Sequence, residues 1–257
     1  APTPQRLTRG PSPLSDFAAG HEYFGLHFKD DHWVFREWAP NATAIFLIGD
    51  MTGWQEKDAF ALKALEDGIW EIRLPADTFA HRDLYRLRIH WPGGMGDRIP
   101  AYARRVVQDP ESLIFNAQVW SPAQPYHWRH ADWRCPGEPT LIYEAHVGMA
   151  QERDGVGAYE EFRQFTLPRI RDAGYNTIQL MAVAEHPYYG SFGYHVASFF
   201  AASSRFGTPE DFRYLVNHLH AHGVGVLLDL EGSDRYTVWS DGQGFGGVAG
   251  VGVLADR

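Results

Sequence analysis

The 257 residues are 44% hydrophobic and 21% charged, an ordinary globular composition with enough chain for two domains. A formal net charge of −9 argues against nucleic acid or an anionic membrane as the main partner. One cysteine, Cys135, excludes an intrachain disulfide and fits a reducing cytoplasm, and no signal-peptide pattern or long apolar span is present, so neither export nor membrane insertion is expected.

The opening 1–20 is a Pro-rich lead segment, with a short helix expected over 14–20. From Tyr23 to about Val119 the pattern is β. His32–Trp38 alternates, Ala39-Pro40-Asn41-Ala42 turns, and Thr43–Ile48 is a second short strand before the turn-rich 49–54. Gly68–Pro75 and Leu84–His90 follow. Short strands separated by turn signals predict a β-sandwich over 21–119. Its Trp54 and Trp70 are candidates either for stacking on a sugar or for the core. Residues 120–139 read as a linker punctuated by prolines.

From Thr140 the pattern changes. Thr140–His146 predicts a strand. A helix follows over about 158–173, with Phe162, Phe165 and Ile170 on one face, a kink at Pro168 and a stop at Gly174. Thr177–Val183 suits a strand buried on both faces. It opens into a long loop carrying Glu185, His186, Tyr188, Tyr189, Phe192, Tyr194 and His195 among glycines. Rings stack on the apolar faces of a pyranose, and glycine lets backbone approach closely, so this loop is the candidate sugar site; a packed aromatic loop has the same composition. Thr208-Pro209-Glu210-Asp211 is a helix start with a capping box, and Phe212, Leu215, Val216 and Leu219 form its buried stripe. Val224–Asp229 is a third strand. The βαβαβ order predicts adjacent parallel strands over 140–234, followed by a glycine-rich tail at 235–257.

YEAHVGM at 143–149, the run 167–196 and SRFGTPEDF at 204–212 closely resemble α-1,4-glucan branching enzymes of the α-amylase superfamily. WAPNAT at 38–43 and GDMTGW at 49–54 resemble the starch-binding module that precedes the barrel in those enzymes. The resemblance implies an immunoglobulin-like carbohydrate-binding β-sandwich followed by strands 1–3 of a (β/α)8 barrel. It further implies transfer, with retention, of an α-1,4 chain to a 6-hydroxyl. It matches Tyr194 to the tyrosine that stacks on the sugar before the scissile bond, and Asp229 to the aspartate that opens the third-strand signature. His146, Glu185 and His186 fall at or just past strand ends, where such sites gather.

Two departures matter. The family histidine that closes the third-strand signature is replaced by Asp234, which offers no donor when ionised. Retaining chemistry also needs two facing carboxyl groups; in the family these and a supporting aspartate come from strands four, five and seven. The stretch from Leu141 onward is about half of what a complete barrel takes. No catalytic residue is therefore assigned, and the chain is expected to be inactive alone. The alternative is a non-catalytic module for glycogen or amylose, or a truncated pseudoenzyme. His218 and His222 share a helix face at a metal-compatible spacing, but no third ligand is indicated, and neither a metal nor a cofactor is expected. Oligomeric state is not legible.

Overall fold

The computed structural model describes residues 20–134 and 139–228. The chain divides after Ala123 into two compact units.

The first unit is antiparallel. After a helical turn at Gly20–Tyr23 come β1 (Gly25–Lys29), β2 (His32–Trp38), β3 (Ala44–Gly49), β4 (Lys63–Ala64), β5 (Ile69–Pro75), β6 (Leu84–Trp91), β7 (Gly94–Arg98), β8 (Val106–Gln108) and β9 (Phe115–Gln118). One sheet runs β1-β2-β5-β4. The other runs β3-β6-β9-β8, with β7 also paired to β6. Burial follows the period of two that a sandwich requires: Trp70, Ile72 and Leu74 point inward from β5, and Tyr85, Leu87 and Ile89 from β6. Phe35 of one sheet meets Tyr85 of the other edge-on, ring centres 6.4 Å apart. The strands expected from alternation agree with those observed to within a residue or so. The short β7, β8 and β9 lack a clean alternation, and β9 lies in proline-flanked sequence.

In the second unit β10 (Ile142–His146), β11 (Thr177–Met181) and β14 (Gly225–Leu228) form a parallel sheet in the order β10-β11-β14. The arrangement is that of the first three strands of a (β/α)8 barrel. Each helix is handed back to the sheet by the same device. Gly174 and Gly223 take φ of 88° and 73°. Their N–H groups donate to the carbonyls of Arg171 and His220, while Tyr175 and Val224 donate further back to Ile170 and Leu219. This double closure satisfies the last carbonyls of each helix and needs glycine at the left-handed position. At the start of the helix Pro209–Ala221 the capping box forms as expected: Thr208 Oγ1 accepts from the Asp211 amide at 3.2 Å, and Asp211 Oδ2 accepts from the Thr208 amide at 2.8 Å.

The helix expected over about 158–173 is interrupted ahead of Pro168. A π turn, Phe162–Thr166, is inserted ahead of it, between the helical pieces Tyr159–Glu161 and Leu167–Asp172. The wider turn accommodates a residue that has no N–H to donate and rotates the buried stripe. Leu167 therefore joins Phe162 and Ile170 in the core, and Phe165, expected on that face, is 63% exposed. Part of the stretch read as a linker makes specific contacts. Asn217 Oδ1 accepts from the amides of Arg129 and His130 at 3.0 and 3.3 Å, and Trp133 stacks on His220 with planes 3° apart and centres 4.4 Å apart. This segment is docked on the helix Pro209–Ala221. The helix expected over 14–20 lies outside the described residues apart from Gly20. No helix among the described residues is long and apolar enough to cross a membrane.

Burial against Trp133 pulls the His220 pKa down to about 4, with His130 adding to the effect. Below pH 6.5 the unfolded chain takes up this proton more readily than the folded one, so stability present above pH 6.5 is lost as pH falls toward 4. The thermal midpoint of the second unit is expected to fall across that window. His220→Phe, which keeps the stack and removes the titration, should make the fall shallower.

Candidate functional site

β10 ends at His146 and a 3-10 turn, Val147–Met149, follows. The Gly148 amide donates to His146 Nδ1 at 3.1 Å. A side chain at 148 would strike Phe206 and Tyr189, so only glycine lets the turn pass beneath those rings. β11 ends at Met181, and Ala182, with φ of 60°, turns the chain away from the sheet. The long loop expected here is a hairpin with a broad head. β12 (Ala184–Glu185) pairs with β13 (Ser198–Ala202), closed further by Ala197 N–H to Glu185 O at 2.7 Å and Ser203 N–H to Val183 O at 2.7 Å.

Glu185 is 1% exposed and braces this hairpin. Its Oε1 accepts from the His186 amide at 3.2 Å, and its Oε2 accepts from the Ser204 amide at 2.7 Å. Burial raises its pKa, while the hydrogen bonds from Ser204 and the neighbouring His186 pull the other way. Both oxygens are thus committed to backbone across the root of the hairpin. His186 is fully buried and donates from Nδ1 to Ala184 O at 2.9 Å. His146 is 7% exposed and ringed edge-on by Tyr189, Phe192 and Phe206 at 5.6, 5.9 and 5.7 Å. Burial, then the nearby His186, lowers its pKa. These three residues, expected to touch substrate, lie beneath the surface.

The head of the hairpin is different. Its turns are closed by Ser191 N–H to Tyr188 O, Phe192 N–H to Tyr189 O and Tyr194 N–H to Ser191 O, each at 3.0–3.1 Å. Phe192 sits at φ 55°, and Gly193 at φ 90° lies so close to Ala182 that an added Cβ would come within 2.4 Å of the Ala182 Cα. The head is pinned by this backbone contact, and Tyr188, Phe192 and Tyr194 emerge from it exposed, Tyr194 by 59%; Phe199 on β13 is exposed too. Composition had singled out the first three. Phe199 drew no attention in the sequence. Arg205, whose guanidinium bonds to the carbonyls of His186 and Pro187 and lies 5.7 Å from the Tyr189 ring centre, was missed as well. Asp229 lies outside the described residues, as does Asp234.

In the first unit Trp54 and Trp70 part company. Trp70 is 9% exposed and donates from Nε1 to Ala39 O at 3.0 Å, so its ring is spent in the sandwich. Trp54 is half-buried at φ 64°, with its amide tied to Gly49 O and the Arg86 guanidinium 5.1 Å from its ring centre. Arg86, not foreseen, holds the ring from one side. No group of three or more metal-ligating side chains gathers among the described residues. His218 and His222 instead pack edge-on at 4.6 Å.

Residues 23–112 match the family model for carbohydrate-binding module 48, the isoamylase N-terminal domain. The chain is 44% identical over 223 residues to a 1,4-α-glucan-branching enzyme of Rhizophagus irregularis, 83% of this chain and 32% of that protein. It is 36% identical over 266 residues to one of Dictyostelium discoideum, 94% of this chain and 39% of that protein. The chain belongs to the 1,4-α-glucan-branching enzyme family. It spans about a third of the length of the curated branching enzymes it matches. In fold it is similar to a putative α-amylase from Salmonella typhimurium, with TM-score 0.64 at 23% identity over 80% of this chain and 32% of that one. It is also similar to a pullulanase from Bacillus acidopullulyticus, with TM-score 0.65 at 18% identity over 80% of this chain and 29% of that one.

The Gly193–Ala182 contact in this branching-enzyme segment leaves no room for a side chain. Gly193→Ala combines a left-handed backbone with overpacking and is expected to cost about 2–3 kcal/mol. Chemical denaturation would measure it.

Proposed function

We propose that this chain is the glucan-binding N-terminal part of a 1,4-α-glucan-branching enzyme, and that its 257 residues bind α-glucan such as glycogen or amylose without cleaving it. The observation that carries the reading is the exposed Tyr194, set on a pinned glycine-rich head at the ends of parallel strands. Trp54, braced by Arg86, is proposed as a separate contact on the sandwich. Both are aromatic surfaces suited to the apolar faces of glucose units, which need no charge for recognition and so fit an acidic chain.

The whole enzyme would transfer an α-1,4 chain to a 6-hydroxyl through two carboxyl groups facing each other across the bond. Glu185 does not offer one of them: its two oxygens are held by backbone amides. That supports a binding role for this segment and leaves bond cleavage to residues beyond it. Asp229 is proposed to join Tyr194 at the strand ends. The single cysteine supports a cytoplasmic setting.

Retention on glycogen tests the reading. Trp54→Ala and Tyr194→Ala are each expected to weaken binding by about tenfold, the equivalent of about 1.4 kcal/mol, with the fold intact. Trp70→Ala should lower stability instead, by about 3–5 kcal/mol. A chain that is not retained on glycogen defeats the proposal. Incubation with amylose should leave its iodine spectrum unchanged, and new α-1,6 linkages would overturn the non-cleaving part.

A further inference from the structure

Beneath the rim, His146 and His186 each present one imidazole nitrogen, Nε2, that is buried and without a hydrogen-bond partner in the protein. The other nitrogen of each ring fixes the tautomer. An amide N–H, that of Gly148, donates to His146 Nδ1, so this nitrogen carries the lone pair and a neutral His146 bears its proton on Nε2. A carbonyl, Ala184 O, can only accept, so His186 carries its proton on Nδ1 and turns a lone pair outward at Nε2. The two rings are thus of opposite sense, one a donor and one an acceptor. They flank the same Phe206 ring, with centres 5.7 and 6.1 Å from it.

We propose that His146 and His186 hold one water molecule between their Nε2 atoms, accepting from His146 and donating to His186. The complementarity selects the guest. A cation would face the N–H of His146, an anion would face the lone pair of His186, and a neutral hydroxyl satisfies both. Leaving two such groups unmet would cost the desolvation of each, whereas a buried water with two or more polar partners is an ordinary part of a protein interior. Ser203 Oγ, buried and also without a partner in the protein, belongs to the same neighbourhood: Tyr159, whose ring meets Phe206 at 5.8 Å, donates from its hydroxyl to Ser203 O. The water would tie the end of β10 to the root of the hairpin, directly under the exposed Phe192 ring that contacts His146. His146 and His186 then act as positioning residues for the rim and do not touch glucan. This inference is independent of glucan binding.

Nitrogen-15 labelling of the histidines in the full 257-residue chain tests it. At neutral pH, long-range proton–nitrogen spectra should show His146 protonated on Nε2 and His186 on Nδ1, and the His146 Nε2 proton should show a cross-peak to a long-lived water. Identical tautomers, a charged ring, a scalar coupling between the two Nε2 atoms that reports a direct bond, or a missing water cross-peak would each overturn it. In His186→Leu the cross-peak should vanish while the His146 tautomer, set by Gly148, persists; its survival there would equally overturn the proposal. The measurements on the unsubstituted chain decide the matter if that variant does not fold.

Discussion

The carboxylate of Glu185 reaches two backbone amides, that of His186 beside it and that of Ser204 nineteen positions further along the chain. The hairpin that emerges from the end of β11 is held at its root by that bridge. Between those amides the chain leaves the sheet, makes its aromatic head and returns. A hairpin whose strand register covers Ala184–Ala202 and Glu185–Ser198, with one further bond on either side, has few ladder bonds of its own. A carboxylate accepting from main chain on both oxygens ties the two segments together, and burial raises what is lost if one bond is broken. The desolvation that raises the Glu185 pKa is the cost of placing this brace inside the protein.

The same geometry explains why the site was only partly legible in the sequence. Strands and caps were readable because each rests on local chemistry. Alternation at His32–Trp38, the Thr208–Asp211 capping box and the stops at Gly174 and Gly223 act within a few residues, and the βαβαβ order fixes parallel neighbours. Glu185 next to His186 at a strand end has the composition of a reactive pair, and nothing local reveals that Ser204 will meet it. Trp54 and Trp70 look alike in sequence; only the pairing of the two sheets sends one ring into the sandwich and leaves the other against Arg86. Phe165 failed for a different reason. Its expected face assumed 3.6 residues per turn, and the π turn ahead of Pro168 changes the period where the stripe was being counted.

The proline-rich stretch that opens the second unit shows how composition misleads about order. Prolines mark it as irregular, which it is. Irregular backbone can still be docked when its N–H groups find acceptors, and Asn217 supplies one oxygen to two consecutive amides. The helix Pro209–Ala221 therefore has two working faces: Phe212, Leu215, Val216 and Leu219 toward the sheet, and Asn217 and His220 toward residues 129–133. A single hydrophobic stripe accounts for the first face and is silent on the second.

A common strain runs through both proposed sugar surfaces. Trp54 at φ 64° and Phe192 at φ 55° are bulky residues in the left-handed region, one in each unit. Such a residue costs on the order of 1–3 kcal/mol and persists only where its surroundings over-determine it. Glycine would relieve either position, and each already has a glycine beside it, Gly53 and Gly193, at positive φ. Stability alone would favour a smaller residue at both. A ring retained at such a cost is one whose direction matters. A left-handed residue turns its side chain away from the path the flanking backbone would otherwise give it, and at both places that turn sits beside a ring left accessible to solvent. In both places the strained backbone goes with an apolar ring face left outside the core.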